Sequence, residues 1–206
     1  DAVTGGLKTV AVRMPSNPVA LALISRSGVP VCAPSANTST RPSPTSAAHV
    51  YNDLCGKIPA ILDGGDCEVG VESTVIDFTT EKPRLLRAGG MPIETLEAAI
   101  GEIEIVRNSK VALCPGMKYK HYAPKADLVL VEGETDKVVA RINELVREKQ
   151  QLGQKVGVIA TDETFLRYEA DHVVSIGARE DEDAIARHLY KILREFDDWN
   201  VDAIYS

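Results

Sequence analysis

Apolar positions in the first half of the chain come in short runs, alternating or at helical spacing, broken by Gly, Pro and Ser. Residues 9–13 have strand character. Asn17 can cap a helix with Pro18 in its first turn and Ala20, Leu21 and Ile24 on one face, and Gly28 closes it. Residues 29–33 read as a second strand. Ser43 is a candidate N-cap, Pro44 fits the first helical turn, and a helix runs on through Ala47–Leu54. Short strands follow at residues 60–62, 74–78 and 84–87, with turns at Gly64-Gly65 and Gly89-Gly90. Residues 92–100 predict a helix closed by Gly101, and residues 103–106 another strand. These elements predict a mixed α/β sheet.

The second half is more regular. Residues 128–131 predict a strand, and a helix over 136–151 places Val138, Ile142 and Leu145 on one face. Strands at 156–160 and 173–176 follow, then a helix with Ile185, Leu189, Ile192 and Phe196 at helical spacing, then a last strand at 203–205. Such β-α-β alternation predicts a small parallel sheet of doubly wound, Rossmann-like type. No G-x-G-x-x-G opens its first turn, so dinucleotide binding is not supported. The chain stops in or just after the last strand, which predicts an unfinished sheet edge and a domain cut short. Between the halves, the run from Cys114 to Lys125 is rich in turn formers, bases and aromatics and has neither period. It reads as an interdomain connection, giving domains at 1–108 and 128–206 with a linker at 109–127.

Composition narrows the classes. With 206 residues, 44% apolar and 26% charged, the chain is globular and has room for one or two domains. No apolar run is long enough for a membrane span, and no secretory signal is visible, so a cytoplasmic location is expected. Cys32, Cys55, Cys67 and Cys114 form no C-x-x-C pair, which argues against zinc and suits reduced thiols. The four histidines show no ligand spacing. A net charge of -7 argues against a broad nucleic-acid footprint but leaves room for a local basic pocket. The chain opens at Asp1 and not Met, which suggests a fragment or a processed product.

The chemistry concentrates around Ala33-Pro34-Ser35-Ala36-Asn37 and Ser43-Pro44-Thr45-Ser46. A strand that ends in hydroxyl and amide groups and re-enters a helix through unpaired N–H groups suits a phosphate or carboxylate. The same residues also suit an ordinary capped loop. Taken with Glu72-Ser73-Thr74-Val75, Leu85-Leu86-Arg87-Ala88-Gly89 and the stretch from Pro115 to Pro124, in that order, they resemble the two-domain threonylcarbamoyl-AMP synthases with a YrdC-like catalytic domain. The resemblance runs through the whole chain. It implies a mixed, twisted open sheet of YrdC-like type, present in part, followed by a linker and a small accessory domain.

The resemblance also implies a nucleotidyltransferase that condenses L-threonine, bicarbonate and ATP into threonylcarbamoyl-adenylate and pyrophosphate. The product feeds a transferase complex that makes threonylcarbamoyladenosine in tRNA. By resemblance, Arg13, Ala33 and Ser73 bind threonine, and Thr9, Ser35, Ser43, Arg87 and Tyr122 contact ATP. Asn37 fixes its own loop. The chemistry asks for positioning and charge stabilisation, with no side-chain nucleophile. Mg²⁺ is expected with the ATP, although no carboxylate is an obvious ligand. Lys118, Tyr119, His121 and Tyr122 suggest a linker that folds over the site as a lid.

Two departures from the family stand out. Nothing matches the Lys/Arg nucleotide motif of a preceding segment of roughly a hundred residues, enough for a small core. The chain alone is therefore expected to be inactive unless a companion N-terminal fragment supplies that segment. Ser39-Thr40 also stands where Ser-Gly is frequent. Taken singly, the residues have blander readings. Arg13 and Arg87 could be solvated strand ends, Ser73 a strand residue, Glu72 a salt-bridge partner and nothing more, and Tyr122 a packing residue. Two other functions fit less well. A non-catalytic RNA-binding module sits poorly with the acidic balance, and a carbamoyl-transfer subunit would bring paired-Cys zinc modules.

Overall fold

The computed structural model describes residues 3, 4, 6–39, 41–106, 114 and 123–206. They group into two compact units. The first takes in Asp1–Thr38, Ser43–Cys67 and Val71–His121, and the second Ser39–Pro42, Glu68–Gly70 and Tyr122–Ser206.

In the first unit, helix α1 spans Pro18–Ser27 with Pro18 at its start. The Asn17 side chain accepts from the amides of Val19 and Ala20 at 3.0 and 3.2 Å and donates to the Gly64 carbonyl. Gly28 ends the helix in the left-handed region at φ 66. Both caps match the sequence reading. Helix α2 spans Ala47–Leu54, but its N-cap is Ser46, whose hydroxyl accepts the His49 amide. Ser43 is thus not the cap, and Pro44 precedes the first turn. The actual cap satisfies the helix's own amide, so Ser43 is free of that duty and its hydroxyl goes elsewhere.

Strands β1 (Val75–Asp77) and β2 (Arg84–Arg87) pair antiparallel, and β2 pairs parallel with β3 (Glu104–Ile105). Helix α3, Ile93–Ile100, lies between β2 and β3 in the chain. The sheet is mixed, as the sequence indicates. The strands expected at residues 9–13, 29–33 and 60–62 are not formed. Alternating apolar residues encode a face, but a strand also needs a neighbouring ladder for its N–H and C=O groups. These segments have none among the described residues, and Val12 is 90% exposed.

The second unit carries a four-stranded parallel sheet ordered β4-β7-β5-β6, from Asp127–Val129, Ala203–Tyr205, Val156–Ala160 and His172–Ser175. The last strand of the chain, β7, lies between β4 and β5, so it does not form the unfinished edge that its position in sequence predicts. Val156, Val158 and Ala160 share a core with Ile142 and Val146 of α4 (Thr135–Gln151). The alternate residue Gly157 faces α5 (Glu182–Trp199), and a Cβ there would stand 3.1 Å from the Phe196 ring. Period-two alternation along β5 thus feeds two helices on opposite faces, the doubly wound arrangement.

Arg194 of α5 is only 2% exposed. Its Nε and Nη2 both donate to the Pro42 carbonyl, at 3.0 and 2.6 Å, which draws residues 39–42 into this unit. Gly70 packs so closely on α5 that a Cβ would lie 1.9 Å from the Arg187 carbonyl oxygen.

Candidate functional site

The antiparallel register sets Val75 opposite Arg87 and shifts by one residue between Val75 and Ile76. Such an irregularity re-aims neighbouring side chains. It leaves Glu72 and Ser73, just before β1, beside the end of β2. Arg87 donates from Nε and Nη2 to the Ser73 carbonyl at 3.1 and 2.9 Å, and from Nη2 to the Ser73 hydroxyl at 3.1 Å. Its Nη2 also lies 3.4 Å from Glu72 Oε2, and both side chains are well shielded, at 16% and 17% exposure. The other oxygen, Glu72 Oε1, accepts a hydrogen bond from the Ser43 hydroxyl.

The backbone beneath this cluster is locked. The Gly90 amide donates to the Glu72 carbonyl at 2.8 Å. A Cβ on Gly89 would come within 2.3 Å of the Glu72 carbonyl oxygen and the Ser73 carbonyl carbon. Gly89 is therefore required for close approach, a use of glycine that the Leu-Leu-Arg-Ala-Gly string alone does not reveal. Thr74 adds a further tie, donating its hydroxyl to the Met91 carbonyl at 2.8 Å. Cys114 is buried, and burial pushes its thiol up while the charge of Arg87 opposes that rise. All four cysteines are free.

Helix α2 fixes the other loop. Asp53, itself buried, accepts the Thr38 amide at 3.0 Å, and the Asn37 side chain donates to the Thr38 carbonyl at 2.9 Å. Asn37 thus holds its own loop, as the sequence reading has it. Ala36 adopts a left-handed backbone at φ 57, a conformation that costs about 1 kcal/mol for a residue with a Cβ. Thr45 is buried as well and donates its amide to His49 Nδ1 at 3.2 Å.

Of the residues singled out in the sequence, Ser43, Ser73 and Arg87 come together. Thr9, Arg13, Ala33 and Ser35 are exposed and stand outside that cluster's hydrogen bonds. Tyr122 lies outside the described residues, as do Lys118, Tyr119, Lys120 and His121. The group that sequence reasoning undervalued is Glu72. It is the hub joining Ser43 to Arg87, and its only signal is a lone carboxylate next to Ser73 within a matched string. Chemically, the cluster offers a guanidinium, two hydroxyls and a carboxylate within hydrogen-bonding reach, suited to binding and orienting polar, charged groups.

The comparisons with known proteins fall on both halves of the chain. A family model described as "Threonylcarbamoyl-AMP synthase, C-terminal domain" matches residues 91–206. The Sua5/YciO/YrdC model, described as "Telomere recombination", matches residues 1–89. Threonylcarbamoyl-AMP synthase of Pyrococcus abyssi is 51% identical over 209 residues, covering 99% of this chain and 60% of that protein. The Bacillus subtilis protein of the same name is 48% identical over 208 residues, covering 99% and 59%. The crystal structure of P. abyssi Sua5 complexed with L-threonine superposes with a TM-score of 0.88 at 50% identity, over 98% of this chain and 59% of that one. The chain spans about three fifths of the length of these relatives. With both family models matched, the comparisons lend no support to the expectation that these residues are inactive by themselves.

Proposed function

The chain belongs to the threonylcarbamoyl-AMP synthase family, and on that ground we propose that it serves the condensation of L-threonine, bicarbonate and ATP into threonylcarbamoyl-AMP and pyrophosphate. The observation that carries this reading is the cluster itself. Three residues assigned to the two substrates from separate strings come together, Arg87 bonding Ser73 directly and linked to Ser43 through Glu72. Threonine captures carbon dioxide through its amine, and the carbamate oxygen attacks the α-phosphorus as pyrophosphate leaves. The amino acid and the nucleotide must therefore lie side by side.

Ser73 is assigned to threonine, together with Arg13 and the backbone at Ala33. Ser43 and Arg87 are assigned to ATP, together with Thr9, Ser35 and, by resemblance alone, Tyr122. Residues 1–108 are assigned to the catalytic domain, 109–127 to the interdomain linker, and 128–206 to the accessory domain. Among the described residues no three His, Cys, Asp or Glu side chains gather to hold a metal. Mg²⁺ would enter on the phosphates, where it neutralises charge. No helix among the described residues is long and apolar enough to cross a membrane. A cytoplasmic enzyme that passes its product to a tRNA-modifying transferase is the setting that fits best.

Incubation of the whole protein with labelled threonine, bicarbonate and Mg·ATP, followed by mass spectrometry, tests the reading. Threonylcarbamoyl-AMP should appear only with all three substrates. Its absence, together with salt-sensitive tRNA binding, would favour an RNA-binding module instead.

A further inference from the structure

Glu72 sets its carboxylate against both Ser43 and Arg87, where its charge acts on any anion that uses the same pair. An ionised carboxylate only accepts hydrogen bonds, so the single Ser43 proton points at Glu72. Phosphoryl oxygens also only accept. Ser43 therefore cannot donate to Glu72 and to a phosphate at once. Arg87, in contrast, does not depend on Glu72 for its place, because two of its N–H groups are fixed on the Ser73 carbonyl at 3.1 and 2.9 Å. The backbone at Glu72 is fixed as well, its carbonyl bound by the Gly90 amide and Gly89 packed against it. What remains specific to Glu72 is a negative charge beside two of the residues assigned to the nucleotide.

We propose that Glu72 is a resident anion that competes with the phosphoryl group of the nucleotide for Ser43 and Arg87. It sets the specificity of the site by weakening its hold on free pyrophosphate, so that a phosphoryl group binds well only when the rest of the nucleotide contributes. Departure of the leaving group is eased by the same repulsion. The inference rests on the proposed function, which assigns Ser43 and Arg87 to ATP.

Calorimetric titration of the whole protein with pyrophosphate, adenosine, ATP and L-threonine tests it, in wild type, Glu72→Gln and Glu72→Asp, with melting curves to establish folding. Glu72→Gln keeps a hydrogen-bonding side chain and removes the charge. It should tighten pyrophosphate about tenfold, the effect of removing a like charge a few ångströms away in a shielded site. Adenosine and threonine should stay within about twofold by the same reasoning, and Glu72→Asp, still charged, should show no gain. Unchanged or weaker pyrophosphate binding by Glu72→Gln, or an equal gain in Glu72→Asp, would overturn the inference while leaving the proposed function standing. Wild-type protein that binds neither ATP nor pyrophosphate would overturn both.

Discussion

Arg87 is held by acceptors of different kinds, among them the Ser73 carbonyl and hydroxyl and the Glu72 carboxylate, and this decides what each substitution in the cluster does. Ser73→Ala removes a hydroxyl 3.1 Å from Nη2 but leaves both bonds to the carbonyl, so Arg87 keeps its place. L-threonine binding should weaken about tenfold, the scale of a lost hydrogen bond to a charged ligand, with ATP affinity and melting temperature little changed. Titration of each ligand decides, and equal losses for both would remove Ser73 from the amino-acid pocket. Gly89→Ala differs in kind, because its methyl group would meet backbone atoms 2.3 Å away, which cannot rotate aside as a side chain can. It should abolish binding of both substrates together and destabilise the fold by about 2 kcal/mol or more. A Gly89→Ala protein that binds and melts like wild type would refute the close packing.

Among the elements, those with local start and stop signals or a compact apolar run were legible, and those whose pattern suggested a strand without specifying a neighbour were not. Asn17, Pro18 and Gly28 are enough to bound α1, and the strand Val156–Ala160 follows from its β-branched run. Residues 9–13 and 29–33 carry equally good alternation yet form no strand, since pairing depends on a neighbour that the local pattern does not specify. The Ser46 cap was missed because three hydroxyl residues, Ser43, Thr45 and Ser46, compete for one helix start. In the candidate site, motif strings pointed to Ser43, Ser73 and Arg87, but the contact of Glu72 with both Ser43 and Arg87 joins residues far apart in sequence, which no spacing shows.

The β1–β2 hairpin offers a test at this scale. Asp77 accepts from the Thr79 hydroxyl and from Arg84 Nη2, both at 2.7 Å, and these bonds hold its carboxyl at about 2. A folded-state pKa below the usual value of about 3.9 means stability that is present above about pH 4 and lost as the pH falls toward 2. Asp77→Asn should lower stability by about 1 kcal/mol near neutrality, discounted for solvent screening, and the difference from wild type should shrink as the pH falls from about 4 and vanish only below about pH 2. Thermal melts across that range check it, and a difference independent of pH would show that the carboxylate charge contributes nothing.

For the molecule as a whole, both family models are matched and every string assigned to substrate lies in residues 1–124, while residues 128–206 build a helix-covered parallel sheet of their own. The proposed chemistry falls in the first part, with Arg87, Ser43 and Ser73 as its proposed substrate site. Threonine-dependent exchange of labelled pyrophosphate into ATP, measured on the whole protein and on Arg87→Met, tests this most directly. Exchange should require both L-threonine and bicarbonate and fall by about a hundredfold in Arg87→Met, as expected when a charged partner of the transferring group is lost. Exchange that proceeds without threonine, or that survives Arg87→Met at the wild-type rate in a folded protein, would contradict it.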